Sequence, residues 1–391
     1  MSLHKCKLGE LITQRREKNN DDSLPISGVS KDGLIPPKQQ EADTSLYNMF
    51  YRGDFIFNPA RMELNSIAYN DKYDKAICSS LYEVFYVHRT DLILPEFLAL
   101  IVKQDWFTRY CEFLGQGSAR EYCRFANISE IEIEFPDIDV QKKTVHCYNV
   151  IKRRIELKQQ INDNLEAQAR LFFNATFVDF SGFATSEIEE TPDGNKPINW
   201  IWAKVGDYCN ENIANIAKTD SFSKILYLDT GSITQNYIDT IQILDCEHDE
   251  LPSRAKRKVY NGDIVYSTVR PNLRHYGLIY NPPENFIVST GFAVLHNNNM
   301  GVSNELLYMW LTKESVLEYL QAIAENSVST YPSLNVSDLL ELKIVIPDET
   351  TLTKANRYLR SIYNAIAENN KQICSLQNSL SIMLPKLLSR R

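Results

Sequence analysis

The feature that most constrains this chain is that its first half recurs in its second. Lys7-Leu8-Gly9-Glu10-Leu11 returns as Lys204-Val205-Gly206-Asp207-Tyr208, and Tyr51-Arg52-Gly53-Asp54-Phe55-Ile56-Phe57 as Tyr260-Asn261-Gly262-Asp263-Ile264-Val265-Tyr266. The second match extends to Arg61 and Arg270. Ser79 to Val84 lines up with Ser289 to Val294, and Asn127-Ile128-Ser129-Glu130 with Asn335-Val336-Ser337-Asp338. Each copy then runs an apolar strand into Pro-Asp, at Pro136-Asp137 and Pro347-Asp348. The offset drifts from 197 to 211 in chain order, as a tandem duplication with loop insertions produces. With 391 residues, two globular domains are expected.

A long helical pattern follows each Pro-Asp. In the second copy Leu359, Ile362, Ile366, Asn369, Ile373, Leu376, Leu380, Met383 and Leu387 alternate 3 and 4 residues apart, a coiled-coil seam with Asn369 as its polar member. In the first copy Ile151, Ile155, Leu165 and Phe172 hold the same phase with fewer apolar members. Matching seams favour pairing of the two helices with each other. Short β-type runs (Asp54 to Asn58, Glu83 to Val87, Glu132 to Phe135, Ile264 to Ser267, Phe286 to Ser289) and amphipathic helices over 94–107 and 304–324 make each globular part α+β. The predicted divisions are a first domain over 1–140, a first long helix over 141–180, a linker over 181–199 among Gly182, Pro192, Gly194 and Pro197, a second domain over 200–347 and a second long helix over 348–391.

Hydrophobic residues at 43% and charged residues at 24% fit a folded chain. No apolar run reaches the ~20 residues of a membrane span, and residues 1–11 lack an apolar core for a secretory signal, so a cytoplasmic protein is expected. The 8 cysteines form no C-x-x-C pair and no zinc spacing, and read as reduced structural thiols.

Catalytic motifs fail on inspection. Phe113-Leu114-Gly115-Gln116-Gly117 and Asn281-Pro282-Pro283 resemble fragments of adenine-N6 methyltransferases. The stretch before the first is helical instead of a buried strand, and the second ends in Glu284 where an aromatic must face an extruded base. No phosphate-binding G-x-x-x-x-G-K-[ST] is present. No metal site, no cofactor and no enzymatic activity are expected of this chain.

The net charge of −8 hides local basic clusters. The candidate DNA-binding residues are Arg61, Asn65, Arg120, Tyr122 and Arg124 in the first copy, and Arg254, Lys256, Arg257, Lys258, Arg270, Asn272 and Arg274 in the second. Arg and Asn side chains read guanine and adenine edges with two hydrogen bonds, while Lys mostly holds phosphates.

Two globular domains, each with a Gly-Asp strand and a strand ending in Pro before a long helix, resemble the specificity (S) subunit of type I restriction-modification systems. The similarity spans roughly 5–388 and rests on Lys7-Leu8-Gly9, Gly53-Asp54, Pro136 and Leu165-Glu166. It departs where the family places Glu-Gln after the strand-end Pro; this chain has Val140-Gln141 in the first copy and no Gln near Leu352 in the second. The resemblance implies two target recognition domains that each read one half of a split site on double-stranded DNA. It also implies long helices that pair as an antiparallel coiled coil with pseudo-two-fold symmetry, set the spacing, and dock two modification (methyltransferase) subunits, with restriction (translocase/nuclease) subunits joining. S-adenosylmethionine, ATP and magnesium would belong to those partners. The residues alone leave two alternatives: a specificity subunit of another methyltransferase system, and a coiled-coil interaction protein without DNA binding.

Overall fold

The computed structural model describes residues 3–31, 33–37, 43–115, 122–217, 219–327 and 332–388. It divides into two compact units, Met1–Leu157 with Gln372–Arg391, and Lys158–Lys371, so each unit takes in part of both long helices.

In the first unit a four-stranded antiparallel sheet runs in the order Ile12–Arg15, Glu83–Val87, Phe55–Phe57, Ile67–Tyr69. Alternation along the strands sends Phe55, Phe57 and Phe85 to one face, where Phe55 and Phe85 stack with ring centroids 4.9 Å apart. Ile56 and Val84 point to the other face, against Phe50 and Ala76 of the paired strands Asn48–Tyr51 and Lys75–Cys78. Helices α1 (Pro95–Val102), α2 (Asp105–Gly115) and α3 (Phe125–Ser129) cover the aromatic face. Leu3–Lys7 pairs with Glu132–Pro136, which leads into α4 (Ile138–Phe173).

The second unit repeats the plan. Its sheet runs Cys209–Glu211, Phe292–Asn297, Ile264–Ser267, Tyr276–Leu278, and Ile201–Lys204 pairs with Lys343–Ile346. Helices α5 (Asn304–Leu311), α6 (Glu314–Glu325) and α7 (Val336–Leu340) precede α8 (Glu349–Leu388). A further sheet, Gln242–Asp245, Lys224–Leu228, Phe286–Ser289, Ala255–Lys258, enlarges this copy.

The repeated sequence signatures are repeated devices. Gly53 and Gly262 have φ of +90° and +88°, which glycine adopts without strain, and the next residue, Asp54 or Asp263, accepts the amide of Tyr51 (2.8 Å) or Tyr260 (2.7 Å). Gly9 and Gly206 let the chain approach the end of the short helix: a Cβ on Gly9 would lie 2.9 Å from Ser129 Cβ, and one on Gly206 3.3 Å from Leu340 Cβ. Beside them Lys7 pairs with Glu130 (2.6 Å) and Lys204 with Glu341 (2.5 Å). One sequence match needs correcting. The structure equates Arg124 with Asn335 as helix start and Asn127 with Asp338 as the side chain accepting its amide, at 2.9 and 2.8 Å, so the Asn127–Asn335 alignment is three residues out. Asn suits both the N-cap and the third helical position, and letters alone do not separate the two.

The single helices expected over 94–107 and 304–324 are each broken in two. At the first break Gln104 Nε2 donates to the Leu100 carbonyl (3.1 Å), and at the second Thr312 Oγ1 donates to Tyr308 (2.8 Å), so side chains satisfy carbonyls that an ending helix leaves open. The segment read as a linker over 181–199 carries a hairpin, Ile188–Thr191 with Gly194–Pro197. Trp202 Nε1 donates to Thr191 Oγ1 (2.9 Å), and Phe183 and Ile188 pack on the second unit's core.

Within the second unit α4 and α8 run antiparallel. Lys158 donates to Asn369 (3.1 Å), Asn162 to Asn370 (2.8 Å) and Asn369 to Asn162 (3.0 Å), while Tyr363 donates to Glu166 (3.0 Å) and Phe172 meets Tyr358 with centroids 4.5 Å apart. Lys158 and Asn369 are 211 residues apart, the repeat offset, so equivalent positions face each other and the helix pair has a local pseudo-two-fold there. Leu359, Ile362, Ile366 and Ile373 are buried, Leu165 and Phe172 pack on the second unit's core, and Ile151, Ile155, Leu376 and Leu380 are half-buried. α4 is 36 residues long and α8 is 40. No described helix is long and apolar enough to cross a membrane.

Past the pairing zone α4 enters the second core: Ala169, Phe173 and, in the π-turn that follows, Phe177 are buried with Trp200 and Trp310. Glu166 enters with them. Its Oε1 has no hydrogen-bond partner among the described residues, Arg170 stands 3.9 Å away, and burial raises its pKa from the ordinary 4.5. A group whose folded-state pKa is raised contributes stability as pH falls through that value towards 4.5, and the contribution is lost again as pH rises. Glu166→Gln is therefore expected to flatten the pH dependence of stability, the wild type gaining on the variant as pH falls from 7 towards 4.5. Denaturant midpoints of both proteins at pH 5 and pH 7 check it; parallel shifts would show that the carboxylate is compensated.

Candidate nucleic-acid interface

In the first unit the hairpin Gly28–Ser30/Gly33–Ile35, the 3-10 turn Pro59–Leu64, the loop at Ser79–Tyr82 and α2 surround an open groove of about 1330 Å³. Arg61 and Asn65 both line it. Their side chains do different things. Arg61 is exposed, and its side chain makes no hydrogen bond or ion pair among the described residues, while its backbone is held in the turn by Asn58 and Ser66. Asn65 closes the turn in the left-handed conformation, φ +52°, and its Nδ2 donates to the Val102 carbonyl (3.0 Å) and to Thr108 Oγ1 (2.5 Å). Asn65 is thus bound to the α1–α2 junction.

Sequence reasoning missed Lys31, Lys103 and Arg109, which also line the groove. Lys103 is held by the carbonyls of Lys31 (2.6 Å) and Ile67 (2.8 Å). Arg109 shares a helix face with Asp105, Thr108 and Glu112, all groove-lining. That i, i+3, i+4, i+7 polar spacing was the signal available, hidden because the stretch was read only for its apolar face. Elsewhere in this unit, Arg124 lies over the Tyr122 ring (5.4 Å) and pairs with Glu83 (3.4 Å). Arg120 lies outside the described residues.

In the second unit the basic run divides. Arg254 and Lys256 are exposed at the strand Ala255–Lys258. Arg257 is drawn inward, where its Nη1 donates to Asn212 Oδ1 and to the Phe292 carbonyl, and burial pulls its guanidinium pKa down. Lys258 pairs with Asp220 (2.7 Å) and holds that carboxyl below its usual range. Around the 3-10 turn Pro271–Leu273, the Arg270 amide donates to Pro332 (3.0 Å), the Asn272 amide to Gln321 Oε1 (3.0 Å), and Arg274 pairs with Glu314 (2.6 Å). These residues come from elements equivalent to those of the first groove, the turn after the central strand and the second helix of the domain.

Each unit thus carries guanidinium and carboxylate groups on turns and helix faces, and such groups can hydrogen-bond base edges and phosphates where they are not paired within the unit. Comparison with known proteins gives the same direction. Residues 16–167 match the family described as type I restriction modification DNA specificity domain. The type I restriction enzyme HindI specificity subunit of Haemophilus influenzae is 30% identical over 159 residues, 40% of this chain and 33% of that subunit, so the match spans a third of that relative's length. The MjaIX specificity subunit of Methanocaldococcus jannaschii is 24% identical over 307 residues, 76% of this chain and 69% of that one. The S subunit of a type I restriction-modification system from M. genitalium shares the fold, with a TM-score of 0.59 at 14% identity over 100% of this chain and 97% of that structure.

Proposed function

We propose that this chain, which belongs to the family of type I restriction-modification specificity subunits, reads a bipartite site on double-stranded DNA with one half per domain and scaffolds the subunits that carry out the chemistry. The observation that carries the proposal is the duplication: each unit has its own sheet and core, and both use the same glycine-aspartate turn, the same closing strand pair and the same short helix. Duplicated reading domains match duplicated half-sites, which for an α-helical ruler suit a separation near one turn of DNA, ~34 Å. A helix of 36 residues reaches about 54 Å at 1.5 Å per residue, ample for that purpose.

In this reading the chain is non-catalytic. Two modification subunits, docked on the long helices, supply S-adenosylmethionine and methylate adenine; restriction subunits supply ATP- and magnesium-dependent cleavage. The chain's own contribution is geometric and electrostatic: exposed guanidinium groups release counterions as they meet phosphates and sort sequences as they meet base edges.

The test is an exchange. Residues 1–140 are replaced by the matching domain of a relative, the chain is co-expressed with type I modification subunits, and methylated genomic sites are sequenced. One half of the motif should change and the other persist, because separate cores make the two contributions nearly additive. A change in both halves, or methylation without any motif, would refute the assignment.

A further inference from the structure

We propose that Arg61 and Arg109 are the specificity-determining pair of the first domain, reading guanine edges, while Asn65 and its repeat counterpart Arg274 are positioning residues that hold the reading turn. This rests on the DNA-reading function above and says which side chains carry it.

The assignment begins from an equivalence that the sequence does not display, since the two residues differ. Asn65 (φ +52°, ψ +40°) and Arg274 (φ +57°, ψ +37°) both sit in the left-handed region at the end of the 3-10 turn after the central strand. Each side chain leaves the turn for the helices behind it: Asn65 to Val102 and Thr108, Arg274 to Glu314 at 2.6 Å. Asn65 commits both Nδ2 hydrogens to these contacts and Arg274 commits its Nη2 to Glu314, so in both copies the side chain at this position is tied to its own domain's helices.

Arg61 and Arg109 are the opposite case. They line one groove from two different elements, the turn and α2, and neither guanidinium has a hydrogen bond or ion pair among the described residues. A guanidinium with all five donors open in a groove wall is suited to bidentate contact with guanine O6 and N7 or with a phosphate. The groove's other charges bear on this choice. Glu63, Asp105 and Glu112 line the same walls, together with Lys31 and with Lys103, whose ammonium donates to the Lys31 and Ile67 carbonyls. Carboxylates beside the arginines repel a phosphate backbone, yet they can accept from the exocyclic amino group of cytosine or adenine. Alternating guanidinium and carboxylate groups are a surface for base edges, with G·C pairs read at the arginines.

The experiment uses the full chain with its modification subunits and compares Arg61→Ala, Arg109→Ala, Arg61→Lys and Asn65→Ala. Methylated motifs and binding to oligonucleotides varied one position at a time are measured, with thermal midpoints as the folding control. Arg61→Ala and Arg109→Ala should keep the wild-type midpoint and lose about 5- to 150-fold discrimination at a guanine in one half of the motif, with the other half intact. Arg61→Lys should not restore the preference, because an ammonium cannot reproduce the planar fork. Asn65→Ala should lower the midpoint and weaken discrimination at the guanine read by Arg61 without changing which base is preferred. Active Arg61→Ala and Arg109→Ala variants with an unaltered motif would overturn the assignment alone, as would a uniform loss of affinity for all sequences or full rescue by lysine, both marks of phosphate contact. Absence of any motif with the wild-type chain would instead overturn the DNA-reading function, and this assignment with it.

Discussion

Phe173→Ala is expected to destabilise the second unit by about 3–5 kcal/mol, whereas alanine at the two residues before it costs far less. Phe173 is 1% exposed, with its ring centroid 5.4 Å from Phe177 and 5.0 Å from Trp310, so truncation opens a cavity among large side chains that cannot collapse into it. Phe172 is half-buried against Tyr358, and its loss should cost about 1–3 kcal/mol. Leu171 is 70% exposed, and its replacement should stay within about 0.5 kcal/mol. Chemical denaturation of the three variants measures the order. Equal losses at 172 and 173 would mean that the end of α4 serves only as a partner for α8, and not as part of the second domain's core.

That prediction also marks where the sequence stops being legible. The repeat, the strands at Glu83–Val87, Ile264–Ser267 and Phe286–Ser289, and the antiparallel seam through Asn369 could all be read, because period-2 and 3/4 patterns record which faces are buried. What buries each face is not recorded. A heptad through Leu165, Ala169 and Phe172 looks alike whether the helix meets another helix or a domain core, and Phe173 and Phe177 belong to the latter. Distant partners were equally invisible. Arg257 looked like any other member of a basic run until Asn212, 45 residues away, drew it inward, and Lys258 found Asp220. Asn65 was chosen for its neighbourhood, yet what occupies its side chain is a carbonyl 37 residues on. Arg109 was missed for the converse reason: amphipathic analysis asks which face is apolar and leaves the polar face as solvent.

Asp54→Ala should cost about 2–4 kcal/mol, and its counterpart Asp263→Ala less, about 1–2 kcal/mol. Both aspartates are buried, at 2% and 1% exposure, and each accepts the amide that closes its glycine turn, so both variants lose that anchor. The difference lies in the second partner. Asp54 receives two hydrogen bonds from Arg15, at 2.7 and 3.1 Å, and Arg15 is a permanent cation only 25% exposed, lodged between the Tyr51 and Tyr86 rings. Removing the carboxylate strands that charge; the partial exposure and the two rings keep the loss below the 3–5 kcal/mol typical of a fully buried pair. Asp263 is met by His296 at 2.7 Å, and an imidazole can be neutral, so no permanent charge is stranded. Replacing both members of the first pair, Arg15→Met with Asp54→Leu, should recover much of the loss, because it removes the uncompensated ion along with the carboxylate. Denaturant unfolding at pH 7, with amide exchange at Tyr51 and Tyr260 reporting each turn separately, measures all three variants. A loss at Asp263 equal to that at Asp54, or a double variant no better than Asp54→Ala, would show that the repeated aspartate acts through its backbone contact alone and that Arg15 contributes nothing to the fold.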